Sequence, residues 1–150
     1  HVSLVVASSL GKALGVPGGV VLGDISIIQH LRKSPYFMAA SPIIPAYLYA
    51  MLRAEKLYGV LQNQLKQRVE QFQSYGQDTS LFQYFGTYPV FYSADQQICR
   101  ALKEQCVLSS FPYPNPDSDC ITRAVINALH TEQDIDTLGK LVQEYAAVKQ

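Results

Sequence analysis

Apolar residues recur along this chain with two different periods, and the changes between them mark out the expected elements. His1 to Ala7 and Val20 to Leu22 are short, continuous apolar runs that read as strands buried on both faces. Asp24 is placed to cap a helix from Ile25 to Arg32, with Ile27, Ile28 and Leu31 turned inward. Ser34 to Ile44, marked by Pro35 and Pro42, reads as an irregular crossing. From Pro45 the period becomes helical. Tyr47, Met51, Tyr58, Leu61, Leu65, Val69 and Phe72 fall at three- and four-residue steps or their multiples, predicting one helix to about Phe72. Such a helix spans roughly 40 Å and suits a connector between two lobes. Its charges lack the order of a coiled coil.

After Gly76 the elements shorten. Leu81 to Phe85 and Pro89 to Tyr92 read as strands, and Ser93 as the cap of a helix from Ala94 to Gln105. Cys106 to Ser109 reads as a strand, Phe111 to Ser118 as a proline-rich loop, and Asp119 to Ala128 as another strand. Thr131 and Asp134 form a capping-box-like start to a last helix whose apolar face is Ile135, Leu138, Leu141, Val142 and Tyr145. The order predicts an α/β chain ending in a small α+β lobe: a largely antiparallel sheet with helices on one face, reached through the long connector. The expected divisions are 1–44, a piece of a larger domain; 45–75, the connector helix; and 76–150, the small domain.

Composition narrows the classes. Twelve basic and twelve acidic residues cancel, so no net field points to nucleic acid or an anionic membrane. Pro35 to Leu52 is free of charge for eighteen residues, long enough for a membrane span, but three prolines break it and no membrane partner is expected. Cys99, Cys106 and Cys120 form an odd set without a Cys-x-x-Cys pair, so no metal site is expected and a reducing cytoplasm is the natural setting. The chain opens inside a strand-like run without an initiator methionine, which suggests the C-terminal portion of a longer protein.

One residue carries candidate chemistry by position. Lys12 sits in a turn of small residues between the first two strands. An ammonium there either snorkels from a loop or has a partner or a covalent task. Both readings are open from spacing alone.

The segment Ser9-Leu10-Gly11-Lys12-Ala13-Leu14-Gly15, followed by Gly18-Gly19 and a strand, resembles the cofactor-lysine segment of fold-type I pyridoxal-phosphate enzymes. Within these it is most similar to the α-oxoamine synthases. A second match is Arg123 through Asp136, an arginine-bearing strand followed by His130-Thr131; a third is the crossing Phe37 to Ala46. The resemblance covers essentially the whole chain and corresponds to the C-terminal part of the family's PLP-dependent transferase fold.

The resemblance implies that Lys12 holds pyridoxal phosphate (PLP) covalently and then acts as general base on a substrate Cα. It implies a contact from Ser9 to the cofactor phosphate and one from Ser41 to the phosphate bound by the other subunit, although a turn-capping role accounts for either hydroxyl as well. It gives Arg123 the substrate α-carboxylate, against the alternative of a surface arginine on an edge strand. His130 reads as a helix-entry residue. Two positions depart from the family: Ile121 and Phe111 stand where many members have arginine.

The implied reaction condenses an amino acid with an acyl-CoA in a cytoplasmic homodimer. A class I/II aminotransferase is the competing enzyme, and an inactive fragment or binding module the competing class. The family's aspartate facing the pyridine nitrogen and its ring-stacking aromatic residue are expected outside this chain, which alone is expected to be inactive.

Overall fold

The computed structural model describes residues 2–76 and 81–149. They form two compact units, His1–Tyr58 and Gly59–Gln150.

The first unit begins with an antiparallel pair, β1 (Val6–Ser9) and β2 (Gly19–Leu22), in the register Val6–Leu22 through Ser9–Gly19. Three helices follow: α1 (Ile25–Arg32), α2 (Pro35–Ala39) and α3 (Pro45–Arg53). The expected bounds of α1 hold, but the Asp24 side chain makes no capping hydrogen bond. The crossing contains the short α2, capped by Ser34 Oγ, which accepts from the Phe37 amide at 3.2 Å. Pro35 at its start already has the φ a first helical turn needs.

Two expectations for this unit are corrected. The opening strands are not buried on both faces: all four residues of β1 are exposed, and Val21 and Leu22 are open as well. A two-stranded sheet cannot cover its own faces. The helix from Pro45 is also divided. It ends at Ala54, whose ψ of 4° leaves the helical range, and α4 (Glu55–Gly76) begins immediately after. The unit boundary falls within α4.

The second unit contains β3 (Val90–Ser93), α5 (Gln96–Ala101), β4 (Ser109–Pro112), β5 (Cys120–Val125) and α6 (Glu132–Lys149). Its sheet is antiparallel in the order β3-β5-β4. Leu81 to Phe85 is not a strand but a single bridge, Gln83 to Tyr92, with two reciprocal backbone hydrogen bonds. The strand expected at Cys106 begins three residues later, at Ser109. Cys106 and Leu108 are apolar because they pack on the core, not because they join the ladder. The cap of α5 is Asp95, which accepts from the Gln97 amide, while Ser93 lies buried at the end of β3 and accepts from the Asp95 amide.

Strand alternation then divides the sheet into two faces. Phe91, Ser93, Thr122 and Ala124 point to the buried face, where α4, α5 and α6 supply Val69, Phe72, Ile98, Ile135 and Val142. Phe72 meets Phe91 edge to face at a centroid distance of 4.7 Å. The intervening residues Tyr92, Ile121 and Arg123 point to the other face. Thr131 and Asp134 close the expected capping box of α6 with bonds of 2.8 and 3.1 Å. Within this unit α4 and α6 are joined by polar contacts. Gln71 and Tyr75 both donate to Asp136 Oδ1 at 2.7 Å, and Arg68 pairs with Glu132 at 3.2 Å.

Candidate active-site elements

In the first unit Lys12 lies in the turn joining β1 to β2, and its side chain is exposed. The turn is held at both ends. Leu10 and Val16 are the unit's two buried hydrophobic residues among those described, and they flank the lysine. The Leu10 amide donates to Gly18 O at 3.0 Å, and the Val16 amide to Leu10 O at 3.1 Å. Tyr58 donates its hydroxyl to Leu14 O at 3.0 Å, two residues beyond the lysine. Gly15 and Gly18 have φ of +64° and +128°, a backbone that side-chain-bearing residues adopt only with strain, so the tight return depends on them. The open location removes the premise of a buried lysine. Lys12 is a cation presented on a fixed turn, and no carboxylate among the described residues pairs with it.

Ser9 and Ser41 line one open groove of about 1140 Å³, with Pro17, Ile28, Phe37, Ile43 and Tyr47 as its apolar walls. Arg32, from the last turn of α1, lines the same groove. Nothing in the sequence singled out Arg32, because the groove it lines is assembled from segments separated along the chain. Lys12 does not line the groove, although Ser9, three residues before it, does. Two hydroxyls and a guanidinium along this groove are donors of the kind a phosphate dianion takes, and its walls are apolar.

In the second unit Arg123 lies on β5, on the sheet face opposite the core, opposite Tyr92 of β3 and Ser109 of β4. Its guanidinium carbon sits 4.6 Å from the Phe111 ring centroid, 5.0 Å from Tyr113 and 5.8 Å from Tyr92. The register explains the cluster. Ser109 pairs with Arg123, and Phe111, two residues along β4, is its diagonal neighbour on the same face. Arg123 Nε is buried without an acceptor, and no acid among the described residues pairs with the side chain. The aromatic cradle was not foreseen; its signal was the aromatic alternation Phe111-x-Tyr113.

His130 stands at the entry to α6. Its Nδ1 accepts from the Asn127 amide at 3.3 Å, and its carbonyl accepts from Arg68 Nε at 3.1 Å. Asp134 is held below the ordinary carboxylate range by hydrogen bonds from the Thr131 backbone and hydroxyl, with a smaller contribution from His130. These groups organise the helix start.

Comparison with known proteins places the chain among relatives. The model of the family described as aminotransferase class I and II matches residues 1–140. The 8-amino-7-oxononanoate synthase of Thermosipho melanesiensis is 30% identical over 140 residues, covering 85% of this chain and 36% of that protein. The enzyme of the same name from Fervidobacterium nodosum is 29% identical over 140 residues, covering 85% of this chain and 35% of its own. The chain thus spans about a third of the length of these relatives. Among solved structures, an 8-amino-7-oxononanoate synthase from Francisella tularensis superposes with a TM-score of 0.72 at 22% identity, over 97% of this chain and 46% of its own. A Sphingomonas wittichii serine palmitoyltransferase gives 0.73 at 15% identity, over 96% and 40%.

Proposed function

From a chain that belongs to the class I and II aminotransferase family, we propose a protein that is a PLP-dependent acyltransferase of the α-oxoamine synthase type. In this reading it resembles 8-amino-7-oxononanoate synthase and joins an amino acid to an acyl-CoA. The observation that carries the proposal is the pinned turn presenting Lys12, within a chain 30% identical to an enzyme of that name.

The residues have separate tasks. Lys12 Nζ holds the cofactor and, once free, takes the proton from the substrate Cα. Ser9 and Arg32 hold the phosphate, and Ser41 reaches the phosphate bound by the other subunit. Arg123 binds the substrate α-carboxylate with a planar fork of donors. PLP supplies the electron sink for the pair left on Cα. The same reading takes residues 1–44 as part of the cofactor-binding domain, 45–75 as the connector and 76–150 as the small domain. It also places the enzyme in the cytoplasm as a homodimer.

The family's own description favours a second reading, in which an aminotransferase moves the amino group without acyl-CoA. The test is CoA release in the full protein with glycine, alanine or serine and an acyl-CoA. Release that is abolished in Lys12→Ala supports the acyltransferase. Amino transfer to a keto acid without CoA release supports the aminotransferase, and neither activity in the wild type would leave a binding module.

A further inference from the structure

We propose that Phe111 and Tyr113 are positioning residues that hold the Arg123 guanidinium so that a carboxylate meets it end-on, through Nη1 and Nη2. The inference rests on the reading of Arg123 as the carboxylate site and adds which residues set its geometry.

The argument begins with donors. A guanidinium can offer a carboxylate two parallel N–H bonds along either of two kinds of edge: Nη1 with Nη2, or Nε with one Nη. In Arg123 the second edge is closed, because Nε is buried and has no acceptor. Among the described residues neither Nη is buried without a partner. Around the guanidinium stand three aromatic rings. Phe111 and Tyr113 bring their rings to 4.6 and 5.0 Å from the guanidinium carbon, with Tyr92 at 5.8 Å. Rings at these distances attract the cation and limit its rotation.

Their source in the chain is also informative. Phe111 closes the end of β4 beside Pro112, and Tyr113 follows immediately. Both are exposed, at 41% and 55%, so core packing does not account for their placement. They lie against a cation that pairs with no acid among the described residues, on the sheet face away from the core. A cradle without an acid leaves the cation's charge available to an incoming anion. The ligand class is therefore a compact carboxylate whose two oxygens approach along the guanidinium axis.

The test uses the full, PLP-loaded protein and compares KM for the amino acid with kcat. Phe111→Leu and Tyr113→Leu should each raise KM about three- to tenfold, the range an ordinary cation–π contact gives. Effects on kcat should stay within about twofold. Phe111→Tyr should restore the wild-type KM. A second readout needs no turnover: in the 15N-labelled protein, titration with glycine should shift the Arg123 Nη resonances while Nε–H stays protected from solvent exchange. Two results would overturn the cradle. One is an unchanged KM in both leucine variants while Arg123→Ala raises it; the other is a strong downfield shift of Nε–H on titration. An unchanged KM in Arg123→Ala would instead remove the carboxylate reading itself, and the cradle with it.

Discussion

The two units solve the problem of covering apolar surface in opposite ways. The second gathers Val69, Phe72, Phe91, Ile98, Ile126, Ile135 and Val142 into one closed cluster, each no more than 2% exposed. The first buries only Leu10 and Val16 among its described hydrophobic residues, and leaves Ile25, Met38 and Tyr36 at 72%, 75% and 89% exposure. Yet the first unit carries Lys12, and what order it has is concentrated around that residue. Local stability and candidate chemistry are thus separated. The second unit is a packed scaffold whose functional residue lies on its outer face. The first is a loosely covered unit that fixes one turn with two buried side chains, three hydrogen bonds and two glycines at positive φ.

Core truncation should break the contrast most sharply. Phe72→Ala should cost about 3–5 kcal/mol in urea unfolding. Ile25→Ala in the first unit should cost no more than about 0.5 kcal/mol. Equal losses would show that the first unit is as tightly packed as the second. Next is Gly139 on α6, where a Cβ would lie 2.3 Å from the Tyr75 ring. Gly139→Ala should therefore cost about 1–3 kcal/mol by overpacking. Combining it with Tyr75→Ser should recover part of that loss, and simple additivity would show that the ring is not the obstacle. Tyr58→Phe removes the hydroxyl that holds Leu14 O, so about 0.5–1.5 kcal/mol should be lost. The loss should appear as faster hydrogen exchange at Val16, with the second unit unaffected.

The smallest effect per group is acid sensitivity. Burial pushes Asp95 up, but hydrogen bonds from Lys149, Tyr145 and the Gln97 amide outweigh it and hold the carboxyl below its ordinary value. Asp136 is lowered by bonds from Tyr75 and Gln71. Asp134 is lowered by its cap contacts with Thr131. A carboxyl depressed in the fold stabilises above its ordinary value of 3.8 and loses that contribution as pH falls below it. Urea midpoints for the second unit should thus decline below about pH 4, and less so in Asp95→Asn.

Much of this architecture is legible in the residues. Helix α1 and the capping box of α6 follow from local hydrogen bonding and apolar period, which short stretches of chain determine. The errors fall where long-range packing decides. Ser93 and Asp95 are both good caps two residues apart, and the sheet claims Ser93 for its end. The run Cys106 to Ser109 has strand-like composition, but Val107 is 98% exposed and pairing starts at Ser109, opposite Arg123. The division at Ala54 has no proline or glycine to announce it. Among the candidate residues, Lys12 of the first unit and Arg123 of the second stand out through resemblance. Arg32 and the aromatic cradle depend on which residues fold into proximity, and no period in the chain encodes that.

The claim on which the account depends is that the pinned turn presents a lysine that takes up PLP. The direct measurement is borohydride reduction of the full protein with PLP, followed by peptide mass mapping. The account predicts a pyridoxyl mass selectively on the peptide containing Lys12, absent from Lys12→Ala and reduced when Ser9 or Ser41 is replaced by alanine. Labelling spread across surface lysines, with no preference for Lys12, would contradict it.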